Sequence, residues 1–193
     1  MTPVSVHANI RAMPATPNAK DIVTFWKDAG PGKWFKKDSG FDAEIRDRFE
    51  AAHFAASRGE FDAWGETAQG SLALLLLLDQ FPRNLFRGSA HAFATDPIAR
   101  GIAERAIAAG HDQQLGDDLK CFFYLPFEHS ECLEGQDRAV ALAATVNDDL
   151  LKWARIHRDI IARFGRFPHR NASLGRETTP EEQAFLDGGG FAG

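Results

Sequence analysis

LALLLLLDQFPRN, residues 72–84, is the stretch that decides the fold. From Leu72 to Leu78 it is apolar without interruption, far short of the roughly 20 residues that cross a bilayer, and it reads as a helix buried on every side. Asp79, Gln80, Arg83 and Asn84 lie at its end. Pro82 has no backbone N–H and disfavours helical geometry at Phe81, so the helix is expected to break there and to leave these polar side chains at the end of a core element.

Outward from that run the same signals repeat. Thr16 and Pro17 can cap and open a first helix carrying Ile22, Phe25 and Trp26, which Gly30-Pro31-Gly32 must end. A loop with Trp34 and Phe35 follows. Ser39 with Asp42 then predicts a capping box for a helix whose Phe41, Ile45 and Phe49 share one face and which stops near Gly59. Phe61 and Trp64 sit on a short helical piece, and Gly70 and Ser71 precede the leucine run. Beyond it, Asp96-Pro97 opens a helix with Ile98, Ile102 and Ile107 inward and Gly110 as its stop. Leu119, Phe122, Phe123 and Leu125 mark another. Residues 136–164 form two pieces joined near Asn147, and Thr179-Pro180-Glu181-Glu182 supplies a capping box for a last short helix. Sustained alternation of β-branched residues is almost absent, so the chain reads as all-α, with about 7–9 helices.

A chain of 193 residues with 44% hydrophobic residues, 16 Phe and 4 Trp can bury one sizeable core. One helical domain over residues 18–187 is expected, with a flexible N-terminus at 1–17 and a flexible tail at 188–193. The formal net charge of −5 argues against a nucleic-acid partner, which would favour a basic surplus. Cys121 and Cys132 lack the C-x-x-C spacing of a zinc or redox site and exclude a disulfide scaffold. No apolar run suits a membrane, and Met1 to Pro17 has no continuous apolar core of a secretory signal, so a cytoplasmic protein is expected. Without a Gly-rich phosphate loop, a G-x-G-x-x-G or an H-E-x-x-H, no cofactor or metal is expected.

Three polar segments could carry chemistry. In the first, Asp79 and Arg83 are i, i+4 neighbours and read either as a structural ion pair or, with Asn84, as an anion fork beside the helix break. The second is Phe127-Glu128-His129-Ser130-Glu131. Residues two apart point about 200° apart on a helix, so His129 and Glu131 make a poor metal pair there, and Ser130 lacks the G-x-S-x-G turn of a nucleophile. His129 suits a base supported by Glu131. The third, residues 163–176, holds Arg163, Arg166, Arg170 and Arg176 with His169 and Asn171 and no acid, in a chain that is acidic overall. Part of that charge suits the end of a helix dipole, and the rest suits recognition of a small anion. His91 and His157 read as partly buried groups, Trp26, Trp64 and Trp153 as core, and Cys132 has no sequence neighbour that would make it reactive.

Phe25-Trp26, Trp34-Phe35, LLLLDQFPRNLFRG, AFATDPIAR, FFYLPFEHSE, and RFGRFPHRNASLGR with the TPEE after it run from about residue 20 to 190. On these strings the chain resembles a mostly bacterial family of unknown function placed in the tetratricopeptide-repeat-like helical superfamily. The resemblance implies antiparallel helix pairs stacked into a right-handed superhelical layer, and it implies no reaction. It also marks two departures, Cys132 where the family usually has an acid and Glu128 where it is more often apolar, and both weigh against a metal role for the second segment.

Two functions compete. One is an enzyme or binding protein for a small anionic ligand, with a cleft built from segments 79–84, 129–131 and 163–176. Asp79, Arg83, Asn84, Arg163, Arg166, Arg170 and Asn171 would hold the ligand, and His129 or His169 would transfer a proton, supported by Glu131 or Asp79. The other is a helical scaffold that clamps an acidic peptide. Against both stands the plain alternative that the clusters only tie helix ends together.

Overall fold

The computed structural model describes residues 17–193, so the Thr16 cap and, apart from Pro17, the N-terminal segment 1–17 lie outside the described residues. The described chain is all-α and contains no strand. Its helices are α1 (Ala19–Ala29), α2 (Pro31–Trp34), α3 (Ser39–Ser57), α4 (Ala68–Leu75), α5 (Phe81–Leu85), α6 (Asp96–Ala108), α7 (Asp117–Lys120), α8 (Leu125–Glu128), α9 (Leu133–Ala143), α10 (Asp148–Phe164) and α11 (Pro180–Asp187). Residues 76–80 join α4 to α5, and 121–123 lie between α7 and α8.

The helix starts follow local chemistry. Asn18, not Pro17, opens α1 through a reciprocal capping box with Asp21, and Gly30 at φ 71° ends it. Asp38 caps α3 by accepting from the N–H groups of Gly40 and Phe41, so Ser39 is the first helical residue and not the cap. An ionised cap complements the helix dipole better than a hydroxyl does. Trp34 and Phe35 leave a one-turn helix and not a loop. Thr67 caps α4, which places Gly70 and Ser71 inside the helix. A Cβ at Gly70 would lie 2.1 Å from the Trp64 carbonyl oxygen, and this close approach explains the glycine.

Pro82 does not break the leucine helix. One wide turn at Leu76–Gln80, in which Phe81 N–H donates to the Leu76 carbonyl five residues back, absorbs it, and the helix continues through α5. The carbonyls around this turn take partners from elsewhere. Leu77 O accepts from His53 Nδ1 at 2.8 Å, Leu78 O from the Thr95 hydroxyl, and Asp79 O from Arg83. Buried acceptors are therefore satisfied where the helix ladder widens.

Leu72 to Leu78 form the axis of the main core, surrounded by Ile22, Trp26, Phe41, Ile45, Phe49, Phe81, Phe122, Phe123 and Phe127. A smaller cluster joins Ile160, Ile161 and Phe167 to Phe164, Phe185 and Phe191. Ile98 and Trp153 are 43% and 47% exposed, against expectation. The inward stripe of α6 is Ala99, Ile102, Ala103 and Ala106, and that of α10 is Ala154, His157, Ile160 and Ile161, so both residues fall at the rim. Phe191, within the expected tail 188–193, packs its ring against His157 and His169.

Candidate functional site

One wide turn within a helix and three helix ends deliver the polar cluster. Asp79 belongs to the wide turn and is fully buried. His129 follows α8, and its backbone N–H donates to Leu125 O. Gln136, buried on α9, donates to the carbonyls of Glu128 and Ser130 at 2.6 and 2.7 Å and fixes the turn that carries His129. Asp96 begins α6 beside Thr95, whose hydroxyl is spent on Leu78 O. Gly165, at φ 69°, turns the chain after α10 and leads it to the short turn Pro168–Arg170.

His129 Nδ1 lies 2.8 and 3.0 Å from the two carboxylate oxygens of Asp79. Gln80 Nε2 donates to the same carboxylate, and Arg83 Nη1 stands 3.4 Å from it. The Arg83 guanidinium forks onto Asp96 with two contacts of 3.0 Å. Arg170 Nη1 reaches Asp96 at 3.4 Å, while Phe93 and Phe167 cover its guanidinium at 4.5 and 4.6 Å. Arg170 Nε and His169 Nδ1 are buried without a hydrogen-bond partner.

The charges follow from this geometry. Burial opposes ionisation of Asp79, yet Arg83 and His129 overcome it and hold the carboxyl below the usual carboxylate range. Burial first, and Arg83 second, lower the His129 imidazolium pKa. The pair is thus a carboxylate accepting from a neutral imidazole. Because a carboxylate only accepts, the proton sits on Nδ1 and Nε2 carries the lone pair. Burial, with Asp79 nearby, pushes Glu128 up to about 8. His157 Nδ1 lies 3.1 Å from Glu128 and donates to Trp153 O, and burial pushes this His down to about 4. Burial and the neighbouring Arg170 hold His169 at about 3, and burial and Arg83 bring Arg170 down to about 10.

The other expected residues point elsewhere. Asn84 donates to Asp42, which also receives Arg87 at 2.6 and 2.9 Å and ties α3 to α5. Arg163 pairs with Glu181 on the surface. Arg166 forks onto Glu182, which Asn171 also contacts. Glu131 takes the Arg176 fork and the Phe167 N–H, so Asp79 and not Glu131 orients His129. The segments therefore meet, but only Asp79, Arg83, His129 and Arg170 among the expected residues form the cluster, and His169 stands next to Arg170 with its ring on Phe167 and Phe191. Asp96, Glu128 and Phe93 join them without having been singled out as site residues. A groove of about 500 Å³ beside Phe25, Lys33 and Arg48 shares no residue with this cluster. Among the described residues no three His, Cys, Asp or Glu side chains converge to hold a metal, and no helix is long and apolar enough to cross a membrane.

Fold and cluster together define an all-helical protein with an Asp–His–Arg centre at converging helix ends. The chain belongs to the family described as bacterial protein of unknown function (DUF924), whose model matches residues 22–190. It is similar to a solved structure, that of the protein of unknown function ATU0120 from Agrobacterium tumefaciens, at 59% identity and a TM-score of 0.86, covering 88% of this chain and 97% of that one. No match is found among curated proteins.

Proposed function

We propose that this protein binds a small anionic molecule beside Asp79, Arg83, Asp96, His129 and Arg170 and that His129 moves a proton on it. The observation that carries the reading is the pair of contacts from His129 Nδ1 to the buried Asp79 carboxylate, which fix the ring and its tautomer. A neutral imidazole so oriented is a general base through Nε2, and the unspent edge of the Arg170 guanidinium suits an anion. Glu128, protonated at neutral pH beside the same carboxylate, supports a site that holds one acid neutral and one ionised. The free thiols Cys121 and Cys132 favour a reducing, cytoplasmic setting. The four-residue link between α9 and α10 favours antiparallel packing of that pair, in keeping with a tetratricopeptide-repeat-like stack.

The test has two arms. Purified protein is screened by thermal shift against small carboxylates, phosphates and nucleotides, where a ligand at a hundred times its Kd contributes about 2.7 kcal/mol. In parallel, the ¹⁵N shifts of His129 are read at pH 7. At least one anion should raise the Tm, and His129 should appear as the neutral Nδ1–H tautomer. A panel without any shift sinks the anion site, and an imidazolium or an Nε2–H tautomer at pH 7 sinks the base.

A further inference from the structure

Resting on that anion-site reading, we infer that the molecule taken up is a monocarboxylate, held side-on by the Nε–Nη2 edge of Arg170 beside Phe93 and Phe167. Arg170 is only 6% exposed. Its Nη1 leans on Asp96, its Nε is buried without a partner, and its Nη2 makes no hydrogen bond among the described residues. One edge of the guanidinium is therefore unspent while two rings pack against the group. Two parallel N–H groups match the two oxygens of a carboxylate. A buried donor left unpaired is costly, and its presence points to a partner supplied from outside the chain.

Charge disfavours a phosphate more than a carboxylate. Arg83 and Arg170 are matched one for one by Asp79 and Asp96, and Glu131 is matched by Arg176. With no positive surplus left, the single charge of a carboxylate is opposed less than that of a phosphate group, which carries roughly −1.5 to −2 near neutrality and offers further oxygens that need donors. The surroundings select further. Phe93 and Phe167 flank the fork, and Phe191 lies against the adjacent His169, so an apolar or aromatic body on the carboxylate is favoured.

Titration calorimetry of the full chain with propionate, benzoate, orthophosphate and methylphosphonate at fixed ionic strength tests this. The carboxylates should bind at least about tenfold tighter than the phosphorus acids, and Arg170→Lys, which cannot fork, should lose about tenfold of that affinity. If Arg170→Lys fails to fold, the Nε–H resonance of Arg170 in the native protein decides, and benzoate should shift it. Phosphorus acids binding as tightly as the carboxylates, benzoate binding unchanged in a folded Arg170→Lys, or an unmoved Nε–H resonance would each overturn the inference. Silence from these four probes with a hit elsewhere in the wider panel overturns the carboxylate alone, whereas silence from the whole panel overturns the anion site.

Discussion

Glu128 and Asp79 share one neighbourhood and respond to it in opposite senses. Glu128 is pushed up to about 8 from 4.5, chiefly by burial. Below pH 4.5 both folded and unfolded chains hold its proton. As pH rises towards 8 only the unfolded chain ionises, so stability falls, by on the order of a few kcal/mol at the upper end. Glu128→Gln should therefore match the wild type near pH 4.5 and exceed its stability at pH 9, in urea denaturation at both values. An identical difference at both pH values would refute the assignment. Asp79 is depressed, so its contribution is present above its unfolded pKa and is lost as pH falls through its folded one, and Asp79→Asn should flatten the acid limb of the same curve. At this scale the sequence showed Asp79, Arg83, His129 and Arg170, because each stands in a polar run where local signals place a helix end. Asp96 was hidden, since an Asp before Pro already has a sufficient explanation in opening a helix, and Glu128 was hidden because its isolation from water is set by residues distant in sequence.

The leucine helix was legible as a buried element, but its course past Pro82 was not. A missing N–H forecasts a break, and whether the ladder widens instead depends on donors that reach in from α3 and from the start of α6. Thr95→Val removes one of them and leaves Leu78 O buried and unpaired, which should cost about 1–3 kcal/mol of unfolding free energy in urea denaturation. Gly70 was read as a helix boundary, and its reason for being glycine is a contact with Trp64 that no local pattern encodes. Gly70→Ala should cost about 2 kcal/mol or more, as overpacking does. A change below about 0.5 kcal/mol, typical of unconstrained surface sites, would show that the α4 start can shift to relieve the contact.

Over the whole molecule two apolar clusters of unequal size meet across the polar centre. Asp96 ties α6 to Arg170, and Glu131 ties the start of α9 to Arg176 and Phe167. The smaller cluster has only three buried hydrophobic residues, so the segments that lean on it should open first. Amide exchange should be faster by at least about tenfold in α11 than in α4, and equal protection in the two would mean that the clusters unfold as one. The class was legible because helical periodicity is a local property of the chain. The meeting of the clusters was not, since it rests on ion pairs between residues 45 and 74 positions apart.

The wide turn at Leu76–Gln80 has a further consequence, one of chain length. A five-residue hydrogen-bonded step holds one residue more than the α-helical step on either side, so the turn is equivalent to a single inserted codon. Each residue of an α-helix advances the side chains by about 100°, so one residue more in ordinary winding would rotate Asp79 and all that follows it by that angle, and the wide turn takes the extra residue up locally so that the helix on either side keeps its phase. Chain length is thus free by one residue at this place. Between Leu75 and Phe81 a one-residue gap would close the wide turn without turning the flanking helix, whereas the same gap earlier in α4 would swing Asp79 away from His129, and in comparing relatives the spacing of this window carries as much information as its letters.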